Sequence, residues 1–288
     1  MRTNQWATKQ AVSRFVTRTV SALAVSLAVG AATQAKPVSV TAANDPALES
    51  FFSLDFGGEG GVASGHIAFT DIEFEVDADR GTARFVRYFQ EVEPLILPGG
   101  FSTGNLTIEI VEGSSAGSFD QLSGQFQTEE LYAIHFEGDL SAFGLESPVI
   151  LPSTSSGIVT LGADTGGRIA LDWLGDGELA NPFDPDNPLE FSYTCTVRAA
   201  FTPEPVTLVR LTLIPEVLKL ELSRRTEKRL TKRLFHAVDL LKRGLDRDAA
   251  RTLKAFTGHV ERLSGRDITK TDAHVLINAA NAIMAMLR

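Results

Sequence analysis

The chain has 288 residues, of which 43% are apolar and 22% are charged, and its formal net charge at pH 7 is −9. This balance excludes an intrinsically disordered chain, and the lack of a long apolar run excludes a protein that crosses a membrane with helices. The single cysteine, Cys195, excludes an intramolecular disulfide framework. It also excludes zinc sites built from four cysteines or from two cysteines and two histidines.

The charge is divided among three segments. Residues 1–35 hold 4 basic residues and no acidic ones, whereas residues 36–205 hold 6 basic and 27 acidic residues, a net charge of −21. Residues 206–288 hold 17 basic and 9 acidic residues, a net charge of +8. This division indicates two domains of opposite charge, which either dock on each other or leave the basic domain free to bind an anionic partner.

The first segment has the pattern of a signal peptide. Four basic residues precede a short apolar run from Val20 to Ala32, which is too short to span a bilayer. Thr33 and Ala35 then supply the small side chains that a signal peptidase needs. We therefore expect residues 1–35 to be removed on export to the periplasm, the cell surface or the medium; the alternative is an amphipathic or buried N-terminal helix.

Residues 36–204 predict an all-β antiparallel sandwich or barrel. Short runs of alternating apolar and polar residues follow one another, separated by Gly, Pro, Ser and Asp. One run, 191–197, places Cys195 on its apolar face, which predicts a buried structural thiol. Another run, 71–77, alternates carboxylates with apolar residues. It predicts either a solvated outer face or a surface for a cation or a basic partner.

A second group of acidic residues suggests a calcium site. Oxygen ligands at short spacing on a loop suit Ca²⁺, and the Gly, Pro and Asn residues after Trp173 predict such a loop, although Asp and Asn there also form turns. No motif requires a cofactor, and Ca²⁺ is the one ion that the pattern suggests. Trp173 lies beside this group in the sequence and is the candidate ligand-binding aromatic residue. The candidate metal ligands are Asp172, Asp176, Glu178, Asp184 and Asp186.

Residues 205–288 predict a small α-helical bundle. The prolines at 203 and 205 mark the boundary, and beyond residue 220 apolar residues recur at helical spacing. Helices are expected over about 230–245, 248–263 and from Thr269 onward, with Asp246 and Thr269 as candidate N-caps. Residues 206–220 fit a strand or a helix.

This basic region resembles the FIMAH domain, a helical module appended to secreted bacterial proteins. The matching features are the spacing of Leu253, Phe256 and Val260, the turn 263–268, and a final helix with an Ala280-Asn281 pair. The resemblance covers about residues 207–287 and implies an accessory role without catalytic residues. It offers no family for residues 36–205.

Basic residues recur at i, i+4 spacing on the first clear helix of this region. They predict one of three roles: a solvated face, docking on the chain's own acidic β-domain, or binding to an anionic polysaccharide or envelope surface. Nucleic acid is disfavoured by export and by the lack of interleaved aromatic residues. The candidate docking residues are Arg225, Lys228, Arg229, Lys232 and Arg233.

The sequence therefore favours an exported, noncatalytic binding or structural protein, in which the β-domain binds a ligand or surface and the helical module is an accessory docking or spacer unit. In a purely structural variant of this hypothesis, an envelope or matrix protein would bind Ca²⁺ through its carboxylates. The alternative from another class is a secreted hydrolase of carbohydrates or esters with its site on the β-domain, near Trp173 and the acidic segment 172–187. No nucleophile elbow, zinc-protease motif or phosphate-binding loop supports that alternative.

Overall fold

The computed structural model describes residues 37–57, 61–161, 166–181, 183–184 and 186–287, so the predicted signal peptide lies outside the described residues. The first part of the described chain forms ten antiparallel β-strands. These are β1 (Val38–Asn44), β2 (Phe51–Asp55), β3 (Val62–Asp77), β4 (Thr82–Val92), β5 (Leu106–Ile110), β6 (Ala116–Phe119), β7 (Gln125–Phe136), β8 (Val149–Leu161), β9 (Gly167–Leu179) and β10 (Leu189–Phe201).

The ten strands form one sheet that curls into a near-closed ring. Their order is β1-β3-β2-β10-β9-β8-β7-β5-β4-β6, and β3 also pairs with β4, which joins the two ends of the order. All strand pairs are antiparallel, and the longest ladder runs between β9 and β10 from Leu179↔Leu189 to Gly167↔Phe201. The prediction of an antiparallel sandwich or barrel domain, followed by a small helical bundle, is thereby confirmed.

Alternation along the strands fills the inside of the ring with apolar side chains. In β9, Ile169, Leu171 and Trp173 are fully buried, whereas the intervening side chains point outward. Glycines on the same inner face make room for large aromatic rings of β10. A side chain at Gly175 would collide with the ring of Tyr193, and one at Gly177 would meet Phe191.

Four helices follow the sheet. The first combines α1 (Pro205–Leu208), a π-helical segment (Val209–Leu213) and α2 (Ile214–Lys219), and all three run on without leaving the helical region of φ and ψ. The ambiguous segment 206–220 is therefore helical as far as Lys219. The remaining helices are α3 (Arg224–Lys242), α4 (Asp246–Leu263) and α5 (Lys270–Met286).

The helix ends agree with the sequence at Thr269 but not at Asp246. The hydroxyl of Thr269 accepts a hydrogen bond from the Asp272 backbone N–H at 3.1 Å, so the predicted N-cap is confirmed. The predicted cap Asp246 is wrong, because Leu245 occupies the N-cap position and makes no side-chain cap bond. Asp246 is instead the first helical residue, where its negative charge suits the positive end of the helix dipole.

The sheet and the helices meet at a buried arginine. Arg210, in the π-helical segment, is 1% exposed, and its Nη2 lies 2.9 Å from Asp79 Oδ2 on the turn between β3 and β4. The side chain of Gln121 donates a hydrogen bond of 3.2 Å to the Arg210 carbonyl. Leu161 packs against both hydrophobic cores. The first helix thus joins the helical domain to the sheet.

Candidate functional site

The predicted basic residues of α3 form one outward surface, which we call the cationic face. The opposite side of α3 carries Leu230, Leu234 and Val238, all fully buried in the helical core. Because that side is committed to packing, the basic side must point away from the core. The face consists of four exposed residues and the half-buried Arg233, namely Arg225, Lys228, Arg229, Lys232 and Arg233.

The charges of the cationic face are not matched within the part of the chain that the structure describes. None of its five residues lies within ion-pair distance of a described carboxylate, whereas Arg84 and Arg87 on β4 pair with Glu75 and Asp71. Arg84 Nη2 lies 2.6 Å from Glu75, and Arg87 Nη2 lies 3.1 Å from Asp71. The helical face therefore presents its charge to solvent.

Two residues of α4 extend this surface and were not among the sequence candidates. His259 and Arg262 lie one turn apart, and Arg262 Nη2 is 3.4 Å from His259 Nδ1. Burial and the charges of Arg233, Arg262 and Arg229 lower the pKa of His259. Helices α3 and α4 are antiparallel neighbours, so counting outward from their connecting turn could have placed 229 opposite 259.

Contact between the two domains uses other basic residues. Arg210 is buried against Asp79, and Lys242, at the last turn of α3, lies near the same acidic turn. Burial and the charge of Arg210 lower the pKa of Lys242, while Asp239, Asp79 and Asp77 act in the opposite direction. Arg210 and Lys242, the basic residues that lie near this acidic turn, are not part of the cationic face.

The candidate calcium ligands are divided between a strand and a loop. Asp172, Asp176 and Glu178 alternate along the outer face of β9, while Asp184 and Asp186 lie in the connection to β10. Asp172 accepts hydrogen bonds from Thr196 Oγ1 at 2.9 Å and Arg198 Nη1 at 3.1 Å. Asp184 accepts one of 2.6 Å from Asn187.

Within the described ranges, no group of three or more His, Cys, Asp or Glu side chains is arranged to hold a metal ion. The calcium site stays a prediction.

Trp173 is fully buried on the opposite face of β9 from these carboxylates. Its ring stacks on Tyr132 with the centroids 4.6 Å apart, and its Nε1 donates to Tyr88 OH at 3.1 Å. Because neighbouring residues of a strand point to opposite faces, the structure does not bring Trp173 together with Asp172 or Asp176. The predicted aromatic ligand contact and the acidic residues therefore occupy different sides of the sheet.

A polar group inside the ring was missed by the sequence reasoning. Glu130 is 3% exposed on the inner face of β7, where it accepts hydrogen bonds from Ser155 and, at 3.2 Å, from Tyr132. Burial raises the pKa of Glu130, and hydrogen bonds from Ser155, Thr128 and Tyr132 oppose that rise. The sequence does not show which of the adjacent glutamates 129 and 130 points inward. That depends on which alternate residues of β7 face the interior of the ring.

The carboxylates of β3 lie beside arginines. Asp71 and Glu75 are half-buried partners of the β4 arginines described above, and Glu73 accepts a hydrogen bond from Ser39 at 3.3 Å. Asp77 does not share the outer face with the other three. It is buried at the end of β3 and accepts hydrogen bonds from the backbone N–H groups of Asp79 and Arg80. Three of the four carboxylates thus share the outer face, and the fourth holds the turn.

Cys195 is buried, as predicted, inside the ring. Burial raises the pKa of its thiol far above the ordinary value. We expect a thiol reagent at pH 8 not to label Cys195 in the folded protein. Labelling should occur only when the protein unfolds, and its rate should therefore follow the rate of unfolding. Labelling time courses with and without denaturant measure this, and fast labelling of the native protein would contradict it.

One histidine–carboxylate pair lies on the outer wall of the sheet domain. His135 Nε2 is 3.0 Å from Glu109 Oε1, and both side chains are exposed.

No helix within the described ranges has the length and apolar character needed to cross a bilayer. Comparison with protein-family models and with curated proteins gives no match to this chain.

Proposed function

We propose that the protein is an exported, noncatalytic binding protein that attaches to an anionic polysaccharide of the cell envelope. Its helical domain supplies the binding surface, and its sheet domain is a filled scaffold. Export rests on the predicted signal peptide, and the accessory role of the helices agrees with the resemblance to the FIMAH domain. The observation that carries the proposal is the exposed cationic face, which makes no ion pair with the described carboxylates.

A polysaccharide fits this surface better than a bilayer does. A helix that lies in a membrane needs a free apolar side, but the apolar side of α3 is packed in the helical core. The face also contains three arginines, whose planar guanidinium groups match sulfate and carboxylate groups. Spacing of one helical turn between them suits a linear chain with regularly repeated charges.

The alternative of a hydrolase has weaker support. Its site would combine Trp173 with the carboxylates of 172–187, but Asp172, Asp176 and Glu178 lie on the face of β9 opposite Trp173. The exposed His135–Glu109 pair stands on the outer wall, where water screens both groups. No observation on the described residues favours this alternative over binding.

We expect the double variant Arg225→Ala with Arg229→Ala to bind heparin, a sulfated polysaccharide, about tenfold more weakly than the natural chain. Each exposed ion pair contributes up to about 1 kcal/mol, so two lost pairs amount to roughly one order of magnitude. Titration calorimetry on the full chain at fixed salt measures the change. Affinity for heparin should also fall with rising salt, and less steeply in the variant.

The matched control is the double variant Arg84→Ala with Arg87→Ala. It removes the same number of charges from the exposed surface of the sheet domain, and we expect it to bind heparin within about twofold of the natural chain. Equal losses in both variants would mean that net charge alone decides binding. Equally tight binding to duplex DNA or to anionic lipid vesicles would contradict the polysaccharide as the partner.

A further inference from the structure

His259 lies on α4, which packs against α3, and its ring is in contact with Arg262. Arg229 and Arg233 belong to α3, Arg262 belongs to α4, and all three charges act on the His259 ring. No charged group of α5, the other helix packed against α4, is among those that act on it within the described chain. The His259 ring is half-buried, so it is not a freely solvated side chain.

The contact between His259 and Arg262 defines the state of the ring. A guanidinium can only donate, so Nδ1 of His259 must accept the hydrogen bond of 3.4 Å. The proton of the neutral ring is then on Nε2. A second proton would have to enter at Nδ1, against three nearby positive charges, and would break the bond from Arg262.

We propose that these four residues form an oxyanion subsite between α3 and α4, which takes one sulfate or carboxylate group of the polysaccharide and adds a proton to His259 as it binds. This proposal rests on the proposed function. The ligand's negative charge would balance the arginines and draw Arg262 away from Nδ1, so that water supplies the proton to Nδ1. The protonated ring can then donate to the bound group from either nitrogen.

Because binding of the anion is coupled to protonation of His259, the affinity for the polysaccharide depends on pH. In the free protein, burial and the arginines hold the pKa of His259 below its ordinary value of about 6.5. A bound anion reverses the charge effect and raises that pKa. Binding therefore takes up a proton, and affinity grows as the pH falls through the pKa of the complex, until it levels off below the pKa of the free protein.

The test compares heparin affinity of the full chain at pH 8 and pH 5.5, at constant ionic strength, with that of His259→Gln. We expect the natural chain to bind more tightly at pH 5.5, by up to about tenfold for each unit by which the pKa of His259 rises. His259→Gln should bind more weakly than the natural chain at pH 5.5 and should lose this pH dependence. The control His274→Gln, on α5 where Asn278 is hydrogen-bonded to the ring, should keep the natural profile.

Separate results would overturn the two proposals. If His259→Gln keeps the full pH dependence, or if NMR titration finds the same His259 pKa with and without heparin, the subsite is wrong while polysaccharide binding stands. If the natural chain does not bind heparin at either pH, the proposed function fails as well. Circular dichroism spectra of the variants confirm that the helices remain folded in each comparison.

Discussion

Replacing Trp173 with alanine is expected to lower the free energy of unfolding by about 3 to 5 kcal/mol. Its indole is completely buried at the centre of the ring, stacked on Tyr132 and in ring contact with Phe52 and Tyr193. Its removal also takes the hydrogen-bond donor from Tyr88, whose hydroxyl would stay buried. Urea unfolding followed by far-ultraviolet circular dichroism measures the loss.

Leu174→Ala is the matched control for this variant. Leu174 is the next residue of β9, points to the opposite face and is 63% exposed, so we expect a change of about 0.5 kcal/mol or less. A large effect for Trp173 with a small one for Leu174 supports a ring with a filled interior. Similar small effects for both would mean that the interior is loosely packed or open.

Arg210→Ala is expected to cost about 2 to 4 kcal/mol and to weaken the connection between the domains. Its side chain is 1% exposed, whereas Asp79, 2.9 Å away, is 39% exposed, so the substitution removes the buried packing of the arginine together with a partly solvated ion pair. Urea unfolding should be followed with two signals, the fluorescence of Trp173 for the sheet, measured with Trp6 replaced by phenylalanine, and ellipticity at 222 nm for the helices. We expect the helical transition to move to lower urea than the sheet transition.

The chain offers a close control for Arg210. Arg251 Nη1 lies 3.0 Å from Asp248 Oδ1, but its side chain is 80% exposed. Because water screens an exposed pair, Arg251→Ala should change the free energy of unfolding by less than about 1 kcal/mol. If both variants behave alike, the arginine at the domain boundary does not join the two domains.

Much of this fold could be predicted from local patterns. Alternation in 191–197 predicted that Cys195 is inside, and the spacing of the leucines of α3 predicted that its basic residues are outside. Both predictions succeed because they depend only on how often side chains return to one face of a strand or a helix. Closure of the ring could not be predicted. It depends on pairing between strands that are distant in sequence, such as β2 with β10, and no local pattern specifies those partners.

The acidic segment shows where local signals mislead. Glycines 175 and 177 indicated a loop after Trp173, whereas β9 continues to Leu179. They are tolerated in the strand because the rings of Tyr193 and Phe191 on β10 fill the space above them. The predicted acidic loop is therefore half strand, and this is why Asp176 and Glu178 lie on the face of β9 opposite Trp173.

The first helix and the subsite were hidden for a related reason. Residues 206–213 alternate like a strand, but Pro205 begins a helix and tertiary packing buries Leu208, Val209 and Leu213 in the helical core. Neither His259 nor Arg262 forms a pattern within α4. Their significance comes from the arginines of α3, which only the packing of the two helices brings near.

The central claim is that an anionic polysaccharide binds to the helices and not to the sheet domain. Hydrogen–deuterium exchange of the full chain with and without heparin tests it most directly. We predict slower exchange in the first half of α3 and the last half of α4, around Arg229 and His259, with no change along β9. Protection of β9 and the 180–188 connection, with α3 and α4 unchanged, would contradict the account.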